Sequence, residues 1–126
     1  MTLLDTSVLV DAFAPGTITH DRFRRVLEHW DRVAVCTICL YEWLRGALTS
    51  EELAAQEAIL PAADAWPFGP VEAVLAAELY RRVRRARQRE IDLALAACAL
   101  ARGASVWTLN RKHFDDVPGL SLYEPA

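Results

Sequence analysis

Apolar and polar positions along the chain follow two rhythms. Short, nearly solid apolar runs, such as Leu3-Leu4, Val33-Ala34-Val35 and Val106-Trp107, alternate with longer stretches in which apolar residues return every three or four positions. The first rhythm suits strands buried on both faces, and the second suits helices lying against them. Strands are predicted at 2–4, 33–35, 105–108 and 120–122, with a short edge strand at 65–66 stopped by Pro67. Helices are predicted at 8–13, at 21–30 with Phe23, Val26, Leu27 and Trp30 on one face, at 38–47 capped by Thr37, and from Ser50 to near Pro61. Pro70 suits the first residue of a long helix with the stripe Val71, Val74, Leu75, Leu79 and Val83. The stretch 91–101 is almost wholly apolar, which predicts a helix buried on every side and ended by Gly103. A helical turn is expected at 111–114. Strands alternating with helices imply an α/β fold, a three-layer α/β/α sandwich around a central, mostly parallel sheet.

In such sheets ligands bind beyond the carboxyl ends of the strands. Asp5 ends the first strand, the second leads into the helix carrying Glu42, and the strand 105–108 runs to Asn110. Asp92 begins the apolar helix that must pack on the same sheet. Each residue has a plain structural explanation. Asp5 and Asp92 suit helix N-termini, and Glu42 suits a pair with Arg45 three positions on. Their joint placement at one rim favours chemistry. Carboxylates gathered together repel and retain protons unless a cation intervenes. Oxygen ligands without a Cys or His set favour a hard ion, Mg²⁺ or Mn²⁺, and metal-assisted phosphodiester hydrolysis. The five glycines are isolated, so no phosphate-binding loop is present, and no Ser/His/Asp triad stands out.

A length of 126 residues fits one domain, 1–126, and 53% hydrophobic with 25% charged residues is a globular balance. Apolar runs fall short of a membrane span, and the opening residues lack a basic region and cleavage pattern, so no membrane association and a cytoplasmic location are expected. The net charge of −3 argues against a general nucleic-acid binder. Between Arg81 and Glu90, however, six arginines face one acid, a local +5 that leaves −8 on the rest. That strip, especially Arg84, Arg85, Arg87 and Arg89, suits either a polyanion gripped at one edge or a solvated helix face. Cys36, Cys39 and Cys98 are too few and odd for a disulfide framework, although Cys36-Thr37-Ile38-Cys39 has redox spacing.

Four segments in order resemble the PIN domain, specifically the VapC-type toxins of bacterial toxin–antitoxin pairs. They are Leu3-Leu4-Asp5-Thr6-Ser7-Val8-Leu9-Val10-Asp11, Tyr41-Glu42-Trp43-Leu44-Arg45-Gly46, Ile91-Asp92-Leu93-Ala94-Leu95-Ala96-Ala97, and Val106-Trp107-Thr108-Leu109-Asn110-Arg111-Lys112-His113-Phe114 followed by Val117-Pro118-Gly119-Leu120. The resemblance implies a PIN-like sandwich and an endoribonuclease needing Mg²⁺ or Mn²⁺. Asp5, Glu42 and Asp92 would hold the metal, Asn110 would join them in catalysis, and Thr6, Ser7 and Thr108 would support them. It also implies a homodimer and a cognate antitoxin that inhibits the enzyme in a hetero-oligomer. One departure is visible. The family often has a fourth acid, where this chain has Asn110, with Asp115 and Asp116 as substitutes and His113 before Phe114 where some relatives have Asp.

Two rival readings keep the fold and change the role. One is a PIN-like nuclease of RNA maturation outside toxin–antitoxin systems, and the other an inactive fold used for binding. Under the toxin reading, a disordered antitoxin segment is expected to fold into a groove between the Glu42 helix and the next. Trp43, Leu44, Leu53 and Ile59 would line it, and an Arg or Lys of the partner would point at the acids.

Overall fold

The structure, a computed structural model, describes residues 1–29 and 31–125. Strands β1 (Thr2–Leu4), β2 (Val33–Ala34) and β3 (Ser105–Trp107) pair in parallel in the order β2-β1-β3. Leu3 stands opposite Ala34 on one side and Val106 on the other, and Leu4 faces Trp107. The carboxyl ends of β1 and β3 therefore finish level. The helices are α1 (Thr6–Ala12), α2 (Ile18–Glu28), α3 (Thr37–Leu44), α4 (Ser50–Ile59), α5 (Pro70–Arg82) and α6 (Glu90–Arg102), with 3-10 turns at Ala62–Asp64 and Arg111–His113. This is the expected α/β arrangement with a parallel sheet.

Local chemistry sets the boundaries. The Thr17 hydroxyl accepts the His20 N–H at 2.9 Å to start α2. At α4, Thr49 and Glu52 satisfy each other's backbone N–H groups, each at 3.1 Å. Pro70 is the first residue of α5, and Glu72 reaches back to the Gly69 N–H at 2.9 Å. Gly103 ends α6 at φ 66°, a left-handed turn that costs glycine nothing. As expected from its composition, α6 is the central helix. Residues 93–99 are all buried, packed among α5, α3 and β3. Burying one such leucine contributes about 1.5–3 kcal/mol, so this helix anchors whatever its first turn carries.

Several expectations need correction. The strands expected at 65–66 and 120–122 are single parallel bridges, Cys36 with Trp66 and Val106 with Leu122. Helix α3 starts at Thr37 without a side-chain cap, because the Thr37 hydroxyl instead accepts the Phe68 N–H at 3.1 Å. The helix expected at 21–30 begins at Ile18, and Trp30 lies outside the described residues. On α5, Leu79 is buried but Val71 and Val74 are 68% and 63% exposed. The apolar stripe is thus divided between the core and the surface. The arginine strip is not a helix face: α5 stops at Arg82, and Arg85 and Gln88 take positive φ values of 54° and 69°. Continuing the helix would stack like charges three and four positions apart. Among the described residues no helix is long and apolar enough to cross a membrane.

Candidate functional site

Asp5 follows β1 directly, and its N–H still bonds the Trp107 carbonyl at 2.9 Å. The chain then turns into α1 with Asp5 as N-cap. The residue is only 6% exposed, and its carboxylate accepts three hydrogen bonds. Oδ1 takes the Thr6 N–H at 2.8 Å, and Oδ2 takes the Ser7 hydroxyl at 2.9 Å and the Thr108 hydroxyl at 2.7 Å. Thr108 lies just beyond β3, so the network ties the ends of two adjacent strands together. Such donors offset the cost of burying a charge. Asp5 is therefore a helix cap and a member of the cleft at once.

Glu42 comes to the same place on α3. Its Oε1 accepts the Thr6 hydroxyl at 2.8 Å, while Oε2 stands 3.8 Å from Arg45. The pairing with Arg45 is present but long and exposed, and such pairs contribute little. Thr6 thus links the first two acids, its N–H on Asp5 and its hydroxyl on Glu42. Asp92 occupies the first turn of α6 and makes no capping bond. Its Oδ2 instead lies 3.0 Å from Nδ1 of His113. Burial raises the Asp92 pKa above its ordinary value, the charge of Asp5 raises it further, and His113 opposes both. The Asn110 N–H bonds the Thr108 hydroxyl at 2.9 Å, which turns Asn110 off the end of β3.

Asp5, Glu42, Asp92 and Asn110 line one cleft of about 300 Å³, with Thr6 and Ser7 beside them. The cleft sits past the carboxyl ends of β1 and β3, where the parallel-sheet rule puts a ligand. Gln88, Ile91 and His113 complete the wall. The first two were not foreseen, because a loop residue at positive φ and an exposed Ile carry no chemical signature in sequence. His113 was foreseen only as a departure from the family pattern. Its position three residues after Asn110, within one helical turn, is the signal that places both on one side. Asp115 and Asp116 are not part of the lining, and Asp116 is held by Arg89. Of the three substitutes weighed for a fourth acid, only Asn110 reaches the cleft.

Among the described residues, no three Asp, Glu, His or Cys side chains close around a single point as they stand. The donor chemistry nevertheless fits a hard divalent cation, being carboxylate and amide oxygen on a polar cleft. Burial first, and then the charge of Asp5, raise the Asp92 pKa, while His113 and Arg89 lower it.

The arginine strip divides. Arg84, Arg85 and Arg87 are exposed on the loop whose Gln88 lines the cleft. Arg89, expected with them as an RNA contact, is held within the protein. Its side chain is 13% exposed and bonds both carboxylate oxygens of Asp116, the Arg84 carbonyl at 3.0 Å and the His113 carbonyl at 2.7 Å. It clamps the loop before α6 to the turn bearing Asn110 and His113. The three cysteines are free and buried. Hydrogen bonds from the thiols of Cys39 and Cys98 hold the Cys36 pKa down, while the same bonds, and then burial, push Cys39 and Cys98 up. An exchanging thiol must meet its partner disulfide, so burial removes the redox reading.

A larger apolar groove of about 610 Å³ runs between α2 and α4, floored by Phe13, Phe23, Leu27, Ala55 and Ile59 and rimmed by Arg24, Glu51 and Glu52. Of the residues expected to line a partner groove beside α3, only Ile59 lines this one. Trp43 is buried in the core against Phe13, and neither Leu44 nor Leu53 lines the groove.

Comparison with curated proteins finds no relative by sequence. Solved structures do resemble this one. A chain of VapBC2 from Rickettsia felis, crystallised on a DNA fragment from its promoter, superposes at a TM-score of 0.75, with 21% identity over 97% of this chain and 96% of that one. A chain of a toxin–antitoxin complex from Klebsiella pneumoniae gives 0.72, with 23% identity over 98% and 99%. VapBC-5 from Mycobacterium tuberculosis gives 0.60, with 26% identity over 95% and 92%. The likeness at such identities is one of fold. The family model for the PIN domain matches residues 2–120, nearly the whole length over which the strand ends, the acids and the central helix have just been traced, and the chain belongs to the PIN domain family.

Proposed function

We propose that residues 1–126 act as one PIN domain with divalent-metal-dependent endoribonuclease activity, the toxin of a toxin–antitoxin pair. The observation that carries this reading is the meeting of Asp5, Glu42, Asp92 and Asn110 in one cleft past the strand ends of a PIN domain. Asp5, Glu42 and Asp92 would hold Mg²⁺ or Mn²⁺. Bound there, the ion would polarise a phosphoryl oxygen and ease ionisation of water. The chain's own part is positioning. Thr6, Ser7 and Thr108 fix the Asp5 carboxylate, Thr6 fixes Glu42, and the buried helix α6 fixes Asp92. Exposed Arg84, Arg85 and Arg87 offer charge to the phosphates of an RNA strand entering beside Gln88.

The partner reading rests on the groove and on the assemblies in which similar folds occur. Several solved neighbours are toxin–antitoxin complexes. An amphipathic antitoxin helix would lay its apolar face on Phe13, Phe23 and Ile59. An Arg or Lys continuing from it would neutralise the acids and keep metal out. Exposed Val71 and Val74 on α5 suit a second copy of the chain, which would make the assembly a homodimer bound by antitoxin.

The test is cleavage of RNA by purified protein. Asp5→Ala, Glu42→Ala and Asp92→Ala each abolish cleavage while circular dichroism stays native, and EDTA silences the wild type until Mg²⁺ or Mn²⁺ is returned. Full cleavage by Asp92→Ala in Mg²⁺ sinks the assignment.

A further inference from the structure

Asn110 and His113 line the acid cleft, and the same two residues, with Leu109, Arg111 and Lys112, line a second depression of about 360 Å³. The two hollows share a wall, yet their charges differ. The first holds Asp5, Glu42 and Asp92, and the second holds Arg111 and Lys112 and no carboxylate. Arg111 is engaged by Glu124 at 2.9 Å. Exposed Lys112 has no carboxylate partner among the described residues, so its charge is available to a ligand. Leu109 is fixed in place. Its N–H bonds the Ser7 hydroxyl at 3.1 Å, and that hydroxyl donates to Oδ2 of Asp5 at 2.9 Å. The network that holds Asp5 therefore also holds Leu109, which is 45% exposed. Core packing does not account for an apolar side chain held half in water beside the acids.

We infer that the depression at 109–113 is the subsite for the nucleotide next to the cleaved phosphate, with Leu109 against the face of its base and Lys112 against its outer phosphate. This rests on the ribonuclease reading above and adds two substrate-positioning residues to it. An RNA strand carries one negative charge per nucleotide. A phosphate at the acids is met by the cation they would hold, whereas the next phosphate needs a cation from the protein itself. Between successive phosphates lies a base, whose face packs on apolar or aromatic side chains. The depression has the size of a small-ligand site and supplies both groups. It also requires that nucleotide to be unpaired, because a base inside a helix hides its faces in the stack.

The experiment uses the full chain and a short single-stranded RNA of mixed sequence whose cleaved bond has been mapped, with two further copies lacking the base on one or the other side of that bond. Steady-state cleavage in Mg²⁺ is followed for the wild type, Leu109→Ala, Leu109→Trp and Lys112→Gln. Binding of the intact RNA is followed by fluorescence anisotropy in EDTA over a range of salt. Leu109→Ala raises KM about fivefold with kcat near the wild-type value, and Leu109→Trp, a broader platform, lowers KM. Removing the base on one side of the bond raises the wild-type KM and erases the difference between wild type and Leu109→Ala; removing the other leaves that difference intact. Lys112→Gln reduces the slope of log affinity against log salt by about 0.7, the share of one phosphate on a single strand. Circular dichroism confirms that each variant is folded. If the wild type cleaves and the variants match it in KM on all three RNAs, with an unchanged salt slope, the subsite falls and the ribonuclease reading stands. If the wild type binds RNA through Leu109 and Lys112 yet does not cleave it, the ribonuclease reading falls and a binding site stands. If it neither binds nor cleaves RNA, both fall together.

Discussion

Replacing Arg89 with Ala separates a structural arginine from its exposed neighbours. The guanidinium is 13% exposed and spans three groups, the Asp116 carboxylate and the carbonyls of Arg84 and His113. Asp116 is 40% exposed, so solvent screens the ion pair and its share is about 0.5 kcal/mol. The two charged bonds to carbonyls, from a largely covered guanidinium, add about 1.5 kcal/mol. Arg89→Ala should therefore cost about 2 kcal/mol, or roughly 6–10 °C in Tm for a chain of this size. The pH dependence gives the cause. Arg89 holds the Asp116 carboxyl below its ordinary pKa. A depressed carboxylate contributes stability above its unfolded pKa of about 4 and loses it as pH falls through the folded value. The gap between wild type and variant should be full at neutral pH and narrow in acid. Arg89→Lys should recover only part of the loss, since an ammonium cannot fork between a carboxylate and two carbonyls. Thermal unfolding across pH is the assay. An unchanged Tm, or a gap that persists undiminished in acid, refutes the clamp.

Neutralising Arg84, Arg85 and Arg87 together to Gln should leave Tm almost unchanged yet weaken RNA binding and flatten its dependence on salt, because fewer counterions are released; an unaltered slope in fluorescence titrations assigns the loop another task. In the apolar groove, Phe23→Ala would disturb the core, whereas Ile59→Glu alters an exposed position of the lining, and this variant should escape inhibition by an antitoxin peptide while still cleaving RNA. Equal inhibition of Ile59→Glu and wild type in a peptide titration places the partner elsewhere.

Much of the fold is legible because burial writes itself into sequence. The solid apolar run 93–99 fits only a central helix, and Leu3-Leu4 fits only a strand covered on both faces. The cleft is legible for the same reason, since strand ends fix where Asp5 and Asn110 emerge. What the sequence hides is pairing between distant side chains. Arg89 reads like its five neighbouring arginines until Asp116, twenty-seven residues on, is seen against it. Val71 and Val74 share a helical stripe with Leu79, and only tertiary packing shows that α6 covers one part of that stripe and leaves the rest in solvent. Trp43 reads by residue type like a groove residue, while in the structure it packs against Phe13 in the core.

The acids of the cleft are unequal, and the inequality has a measurable consequence. Asp5 is buried, yet three donors answer its charge. Asp92 loses water to burial and also faces the charge of Asp5, with His113 as its only direct partner among the described residues. Its pKa is raised, so in the metal-free protein its ionised form opposes folding. The sign follows from linkage: the folded state holds the proton more tightly than the unfolded, so stability falls as pH rises through the interval from the unfolded to the folded pKa, and the penalty is complete at neutral pH. Asp92→Asn removes that charge and retains a side-chain oxygen facing His113. The variant should therefore melt at a higher temperature than the wild type in EDTA at pH 7, and the difference should shrink as pH falls below the carboxylate range. Added Mn²⁺ should reverse the order, since ligand binding to the folded state stabilises only the protein that holds the ion. Such an exchange of stability for a charged site is the ordinary cost of an active centre. If Asp92→Asn melts lower than the wild type in EDTA, the carboxylate is a structural anchor for the turn at His113, and the repulsion argument fails.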